Sequence, residues 1–118
     1  AESHVRIQMV TKPGAMSVVL NEEQSVAVYR FIQEGLTNAM RHAYSREVDV
    51  TLEVLGEHSY ALKMSNRMQQ SSQGEGFGLR NLRDRFTALD GKFDTGVRGD
   101  QFIIQGVFPL IKREIGGY

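Results

Sequence analysis

Residues 21–43 read NEEQSVAVYRFIQEGLTNAMRHA, and the way this stretch folds decides the architecture. Asn21 stands three positions before Gln24, with Glu22 and Glu23 between them. That order starts a helix. The Asn side chain caps a free amide of the first turn, the Gln returns the bond, and the two carboxylates meet the positive end of the helix dipole. The helix is predicted to run to about His42. At about 100° per residue it places Val28, Tyr29, Ile32, Leu36, Ala39 and Ala43 on one side, and Glu34, Thr37, Asn38, Arg41 and His42 on the opposite side. A helix with one apolar side must bury it against a second layer.

The flanking sequence supplies that layer. Residues 47–55, EVDVTLEVL, alternate with Val48, Val50, Leu52 and Val54 facing one way, a half-buried strand. Gly56-Glu57-His58 turns into a second strand over residues 60–64, pointing Tyr60, Leu62 and Met64 to one face. Residues 65–76, SNRMQQSSQGEG, have no periodicity that could bury a face and read as a flexible loop. A second helix over about residues 79–89 buries Leu79, Leu82, Phe86 and Leu89, with Gly91 at the C′ position. Two closing strands, around residues 92–95 and 101–108, flank a turn made of Gly96-Val97-Arg98-Gly99-Asp100. Upstream, residues 4–10 alternate as HVRIQMV and stop at Lys12-Pro13-Gly14, and a short second strand is expected over residues 16–20. Helices separated by antiparallel hairpins predict an α+β fold, a two-layer α/β sandwich with both helices on one face of a mixed, mostly antiparallel sheet.

A chain of 118 residues fits one such domain, spanning residues 1–118. Fourteen basic and 14 acidic residues give zero formal charge, which disfavours nucleic acid and anionic membranes as partners. Zero cysteines exclude a disulfide framework and thiolate metal sites, and fit a cytoplasmic setting. No apolar run approaches the roughly 20 residues that span a bilayer, and the opening AESHVRIQ lacks the basic-then-apolar pattern of a secretion signal. The first residue is not Met, so the chain is expected to be a piece of a longer protein.

Two clusters carry candidate chemistry. Glu34, Asn38 and His42 lie at i, i+4 and i+8, so they line one edge of the first helix, with Thr37 and Arg41 beside them. Such a row is as readily an ordinary solvated face. A carboxylate, an amide oxygen, a guanidinium and an imidazole within two turns nevertheless offer a Mg²⁺ ligand together with phosphate donors. The second cluster is Gly74-Glu75-Gly76-Phe77-Gly78-Leu79, where glycines let backbone approach a ligand at a helix N-terminus rich in free amides. Alone it is equally a loop hinge. The phosphate loop ending in Gly-Lys-Ser/Thr does not occur, and strands that do not alternate with helices argue against a dinucleotide fold.

Together the two clusters carry a resemblance. YRFIQEGLTNAMRHA, residues 29–43, resembles the N box of the GHKL ATPase superfamily, and EGFGLRNLRDRFTALDGKF, residues 75–93, resembles its second glycine box and following helix. The wording is most similar to sensor histidine kinases that partner response regulators with helix-turn-helix output domains. The resemblance covers nearly the whole chain and implies the Bergerat ATP-binding fold. It implies that Asn38 ligates the Mg²⁺ bridging the ATP triphosphate and that Glu34 positions or polarises a water on that metal. Arg41 and His42 would face the phosphates, and Gly76, Phe77, Gly78 and Leu79 would form the phosphate side of a lid. The implied reaction is transfer of the γ-phosphoryl group to a histidine, by positioning and charge neutralisation.

The resemblance breaks at two places. The first glycine box of the family reads Asp-x-Gly and its carboxylate accepts a hydrogen bond from the adenine amino group; here the aligned stretch is Asn66-Arg67-Met68. An Asn oxygen accepts the same bond without the charge-assisted increment of about 1 kcal/mol, and Met fits poorly where φ > 0 is wanted. Near the last strand, Gly99-Asp100-Gln101 stands where Gly-Thr is common. His4, His42 and His58 are the only histidines, and none lies on a helix with an acidic neighbour to act as base. The phosphoacceptor is therefore expected on a separate dimerisation domain of the same protein, with a cognate response regulator as further partner and membrane anchoring, if any, outside this chain. A second reading keeps the fold as a degenerate regulatory module that binds a partner protein and little nucleotide.

Overall fold

The computed structural model describes residues 6–12, 18–56, 58–68 and 77–110. Asn21 caps the first helix reciprocally: the Gln24 amide donates to Asn21 Oδ1 at 2.8 Å, and the Asn21 amide donates to Gln24 Oε1 at 3.0 Å. The elements follow in the order β1 (Arg6–Thr11), α1 (Glu22–His42), β2 (Ala43–Leu55), β3 (Ser59–Met68), α2 (Phe77–Ala88), β4 (Lys92–Arg98) and β5 (Gln101–Pro109). The strands form one sheet in the order β1-β2-β3-β5-β4, parallel between β1 and β2 and antiparallel elsewhere. The α+β sandwich is therefore the one the sequence predicts.

Register explains why the helices share one face. Val50, Met64, Ile104 and Thr95 lie in one row across β2, β3, β5 and β4; Leu52, Leu62, Gly106 and Phe93 form the next. Because side chains alternate along each strand, these rows point to the same side, where α1 and α2 lie. Five rings fill the space between the layers. Phe86 of α2 sits 6.0 Å from Phe31, 5.8 Å from Phe93 and 5.9 Å from Phe108, and Tyr60 stacks on Phe108 at 5.6 Å. Burial pushes the Tyr60 phenol above its ordinary pKa. Gly106 is small because it lies beneath the Phe86 ring: an added Cβ would stand 2.5 Å from Phe86 Cε2.

Several boundaries differ from the sequence-based expectation. Residues 18–20 are irregular rather than the end of a strand; residues 16 and 17 lie outside the described ones. Val19 there is 93% exposed and joins no ladder. β3 continues four residues past Met64 because Ser65 and Asn66 pair on both sides, with β2 and with β5, and Arg67 pairs with Gln101 of β5, so the central ladder holds a polar sequence that has no alternation of its own. Gly96, Val97 and Arg98 extend β4, leaving the two-residue connection Gly99-Asp100; Gly99 takes φ 65°, as the first central position of a type II′ turn requires. α1 passes directly into β2 at Ala43, so Ala43 is no part of the helix face.

α2 ends in a Schellman motif one residue earlier than predicted. The Gly91 amide donates to Phe86 O at 2.9 Å and the Asp90 amide to Thr87 O at 3.0 Å, making Asp90, with φ 63°, the C′ residue. Gly91 is instead required for close approach, since a Cβ there would meet the Val107 carbonyl oxygen.

Candidate functional site

The connectivity gives the sandwich two unlike ends. At one lie the start of α1, the end of α2 and the start of β4; Gln24 Nε2 donates there to Pro109 O at 3.3 Å, and the Leu110 amide donates to His58 O at 2.8 Å. At the other lie the end of α1, the start of β2, the end of β3 and the start of α2, with Ala43 opposite Met68 and Val48 opposite Asn66. Every described residue singled out from the sequence maps to α1 beyond its midpoint or to this second end. Asn38, Arg41 and His42 belong to the last two turns of α1, Asn66 closes the buried face of β3, and Phe77, Gly78 and Leu79 open α2. Gly76 lies outside the described residues, and so do the side chains of Arg41, His42 and Phe77.

The orientation of α1 differs from the predicted wheel. Its buried stripe is Gln24, Ala27, Phe31, Gly35 and Ala39, whereas Tyr29 is 61% exposed. The helix settles on its smallest residues: a Cβ on Gly35 would collide with Met64 Sδ, so glycine allows α1 to approach the sheet. Asn38 therefore falls only about 20° around the helix from Phe31, and Glu34 about 60°. Neither opposes the core. Both are half-buried along its margin, one turn apart, while Thr37 is exposed.

On that margin α1 and α2 enclose a groove of about 560 Å³, with Glu34 on one wall and Asn81 and Arg85 on the other. Glu23 of α1 and Leu89 after α2 also line it, so the helices run antiparallel and the groove extends from that end as far as Glu34 and Asn81, with neither Asn38 nor Leu79 in its lining. Arg30, Asn81 and Arg85 were not singled out from the sequence. For the α2 pair the spacing of Asn81, Asp84 and Arg85, a polar strip beside the buried Leu82 and Phe86, carries that signal; Arg30 has none beyond its place on α1. Leu79 is buried at 3% exposure, so its backbone amide, within the first turn of α2, is the group it could offer to a ligand.

Asn66 is the buried polar residue of the sheet. It is 6% exposed on the helix-facing side, between Val48 and Phe102 in register. Its amide nitrogen donates to Arg67 O at 3.3 Å. Among the described residues no donor reaches its Oδ1. A buried acceptor left so is costly unless something else supplies the hydrogen. The two stretches that depart from the family pattern also touch: Arg67 Nε pairs with Asp100 Oδ2 at 2.9 Å on the exposed face. Both groups are about half exposed, so the pair adds little stability.

Solved structures of histidine kinases share this fold. With probability 1.00, the kinase AdeS of Acinetobacter baumannii superposes over 93% of this chain and 56% of its own, with TM-score 0.69 and 15% identity. The fold is that of histidine kinase catalytic domains. Full-length ShkA, a structure in complex with AMPPNP, matches 92% of this chain and 26% of its own, with TM-score 0.70 and 14% identity. By sequence, the histidine-protein kinase/phosphatase DegS of Bacillus subtilis (strain 168) is 27% identical over 93 residues, covering 74% of this chain. The chain thus spans 23% of that curated relative and 56% or less of these kinase structures. No family model matches. Among the described residues no helix is long and apolar enough to cross a membrane, and no three His, Cys, Asp or Glu side chains form a metal cluster.

Proposed function

We propose that this chain is the ATP-binding catalytic domain of a two-component sensor histidine kinase, placing the γ-phosphoryl group in line with a histidine on a separate dimerisation domain. The observation that carries the reading is the convergence of Asn38, the buried acceptor of Asn66 and the amide-bearing start of α2 at one end of a histidine-kinase fold. An acceptor without a donor is what an exocyclic amino group of a base would satisfy, and free amides at a helix start suit phosphate. The complex of ShkA with AMPPNP supports a nucleotide at this fold.

Asn38 would hold Mg²⁺ through its side-chain oxygen, with Arg41 and His42 beside the phosphates; bound Mg²⁺ supplies charge neutralisation across the triphosphate. Glu34 would accept a hydrogen bond from an ordered water or from the incoming imidazole N–H, holding the nucleophile in line. The bond from the γ-phosphorus to the bridging oxygen breaks, an N–P bond forms, and ADP leaves. Gly76, Phe77, Gly78 and the Leu79 amide would close the phosphate side. The partners are the dimerisation domain of the same protein and a cognate response regulator, and the setting is cytoplasmic.

Calorimetric titration with a non-hydrolysable ATP analogue tests the reading. Saturable binding that Mg²⁺ tightens is expected, and Asn38→Ala should remove the Mg²⁺ dependence while leaving metal-free binding. No heat of binding under either condition would overturn it.

A further inference from the structure

We infer that the outer stripe of α1, made of Tyr29, Gln33, Leu36 and Met40, docks on the same stripe of a second copy of this chain, the two helices lying antiparallel about a twofold axis. Tyr29 and Met40 are 61% and 60% exposed. Eleven residues apart, they stand about 16 Å along the helix but only about 20° around it, with the half-buried Leu36 between them on the same line. Exposed apolar side chains scattered singly are ordinary; these share a line and form one surface.

The line matches a copy of itself in charge, in order and in rigidity. Over residues 24–40 the charged residues of α1 are Arg30 and Glu34, about 100° and 140° around from Tyr29, and both line the groove with α2 instead. The contact core is therefore free of charge, and a chain of zero formal charge does not repel its copy. With the axis passing between residues 34 and 35, Tyr29 meets Met40 of the second copy, Met40 meets its Tyr29, and Gln33 lies beside its Leu36. A thioether against an aromatic ring is a favourable contact. Tyr29 is also held ready for it: Gln33 Nε2 donates to the Tyr29 hydroxyl at 3.3 Å, and Arg30 Nη1 donates to Gln33 Oε1 at 3.0 Å. A ring fixed before contact loses less freedom on docking. The free edge strand β4 lacks such a match, because pairing it with its copy about Thr95 sets Lys92 against Arg98. Asn38 lies about 180° around α1 from Tyr29, so the pairing leaves the proposed nucleotide side of both copies open. One stripe of about three turns buries less than the roughly 1,200 Å² of a standard interface, so the dimer is weak and concentration-dependent.

Sedimentation equilibrium of the wild type over about 0.01 to 1 mM tests this: the mass should climb from one chain toward two, half associated near about 0.1 mM. Met40→Glu sets a carboxylate against the Tyr29 ring of the second copy and should weaken association at least about tenfold. Val19→Glu, which charges the 93% exposed Val19 outside α1, should leave it unchanged. Because the chain has no cysteine, copies carrying Tyr29→Cys and copies carrying Met40→Cys, mixed with a short bis-maleimide, should cross-link to each other more than either does to itself. Far-UV dichroism checks that α1 stays helical; if Met40→Glu does not fold, the cross-links decide. Equal weakening by Val19→Glu, or equal cross-linking between like copies, makes the association unspecific and overturns the inference. Wild type that stays monomeric throughout also overturns it, and leaves the stripe to a helix of another domain.

Discussion

The two ends of this sandwich are built from opposite materials. One is closed by the reciprocal Asn21–Gln24 cap, the Gln24 bond to Pro109 O and the Schellman turn at Asp90, and the five-ring cluster packs behind it. The other holds a half-buried Asn38 toward the end of α1 and, toward the end of β3, a buried Asn66 that has one long hydrogen bond. Polar groups bonded to one another hold a fold together. Polar groups kept ready for something else do not, and a domain retains them for what they bind.

The largest break in this contrast should come from the aromatic cluster. Phe86→Ala removes a ring with no exposed surface that meets three others, and should lower unfolding stability by about 3–5 kcal/mol in chemical denaturation. Gly106→Ala drives a methyl into that ring and should cost about 1–3 kcal/mol, because the fully buried Phe86 must shift among the three rings it meets. At the opposite end the sign changes. Asn66→Leu should leave the ligand-free domain as stable or more stable, by up to about 1 kcal/mol, while weakening ATP binding. A large destabilisation would mean that Asn66 is a structural residue.

The sequence announces the first end more clearly than the second, for physical reasons. Caps, turn glycines and the Leu79-Leu82-Phe86 spacing are local signals, and they fix the helices to within two residues. The buried stripe of α1 keeps Ala39 and packs Val28, Ile32 and Leu36 at its border, but it centres elsewhere than expected because a count of large side chains gives no weight to Ala27 and Gly35, whose smallness lets the helix approach the sheet. The same rotation moves Glu34 and Asn38 from the expected solvent side to the margin of the core. Residues 65–68 read as loop because Ser, Asn and Arg show no alternation; the strand forms there because ladders on both sides hold its backbone. As a result, the Asn66 at its end is buried rather than loop-borne. Residues 96–100 read as one wide turn because Gly96 and Arg98 look like loop, whereas β4 is an exposed edge that tolerates them.

Smaller effects sharpen the comparison. Asn21→Ala breaks the cap and should cost about 1 kcal/mol. Asp90→Gly relieves the positive φ at the C′ position and should raise the melting temperature by the equivalent of about 0.5 kcal/mol. Neither change should alter nucleotide affinity, since both lie at the closed end.

Backbone amide shifts followed by heteronuclear NMR during titration with a Mg²⁺·ATP analogue separate the two ends most directly. Shifts should concentrate at Asn38, Asn66 and Phe77–Leu79, with those at Gln24, Ser59 and Lys92 nearly unmoved. Perturbation centred on the Asn21–Gln24 cap and the end of α2, with Asn38 and Asn66 unaffected, would contradict the placement of the site.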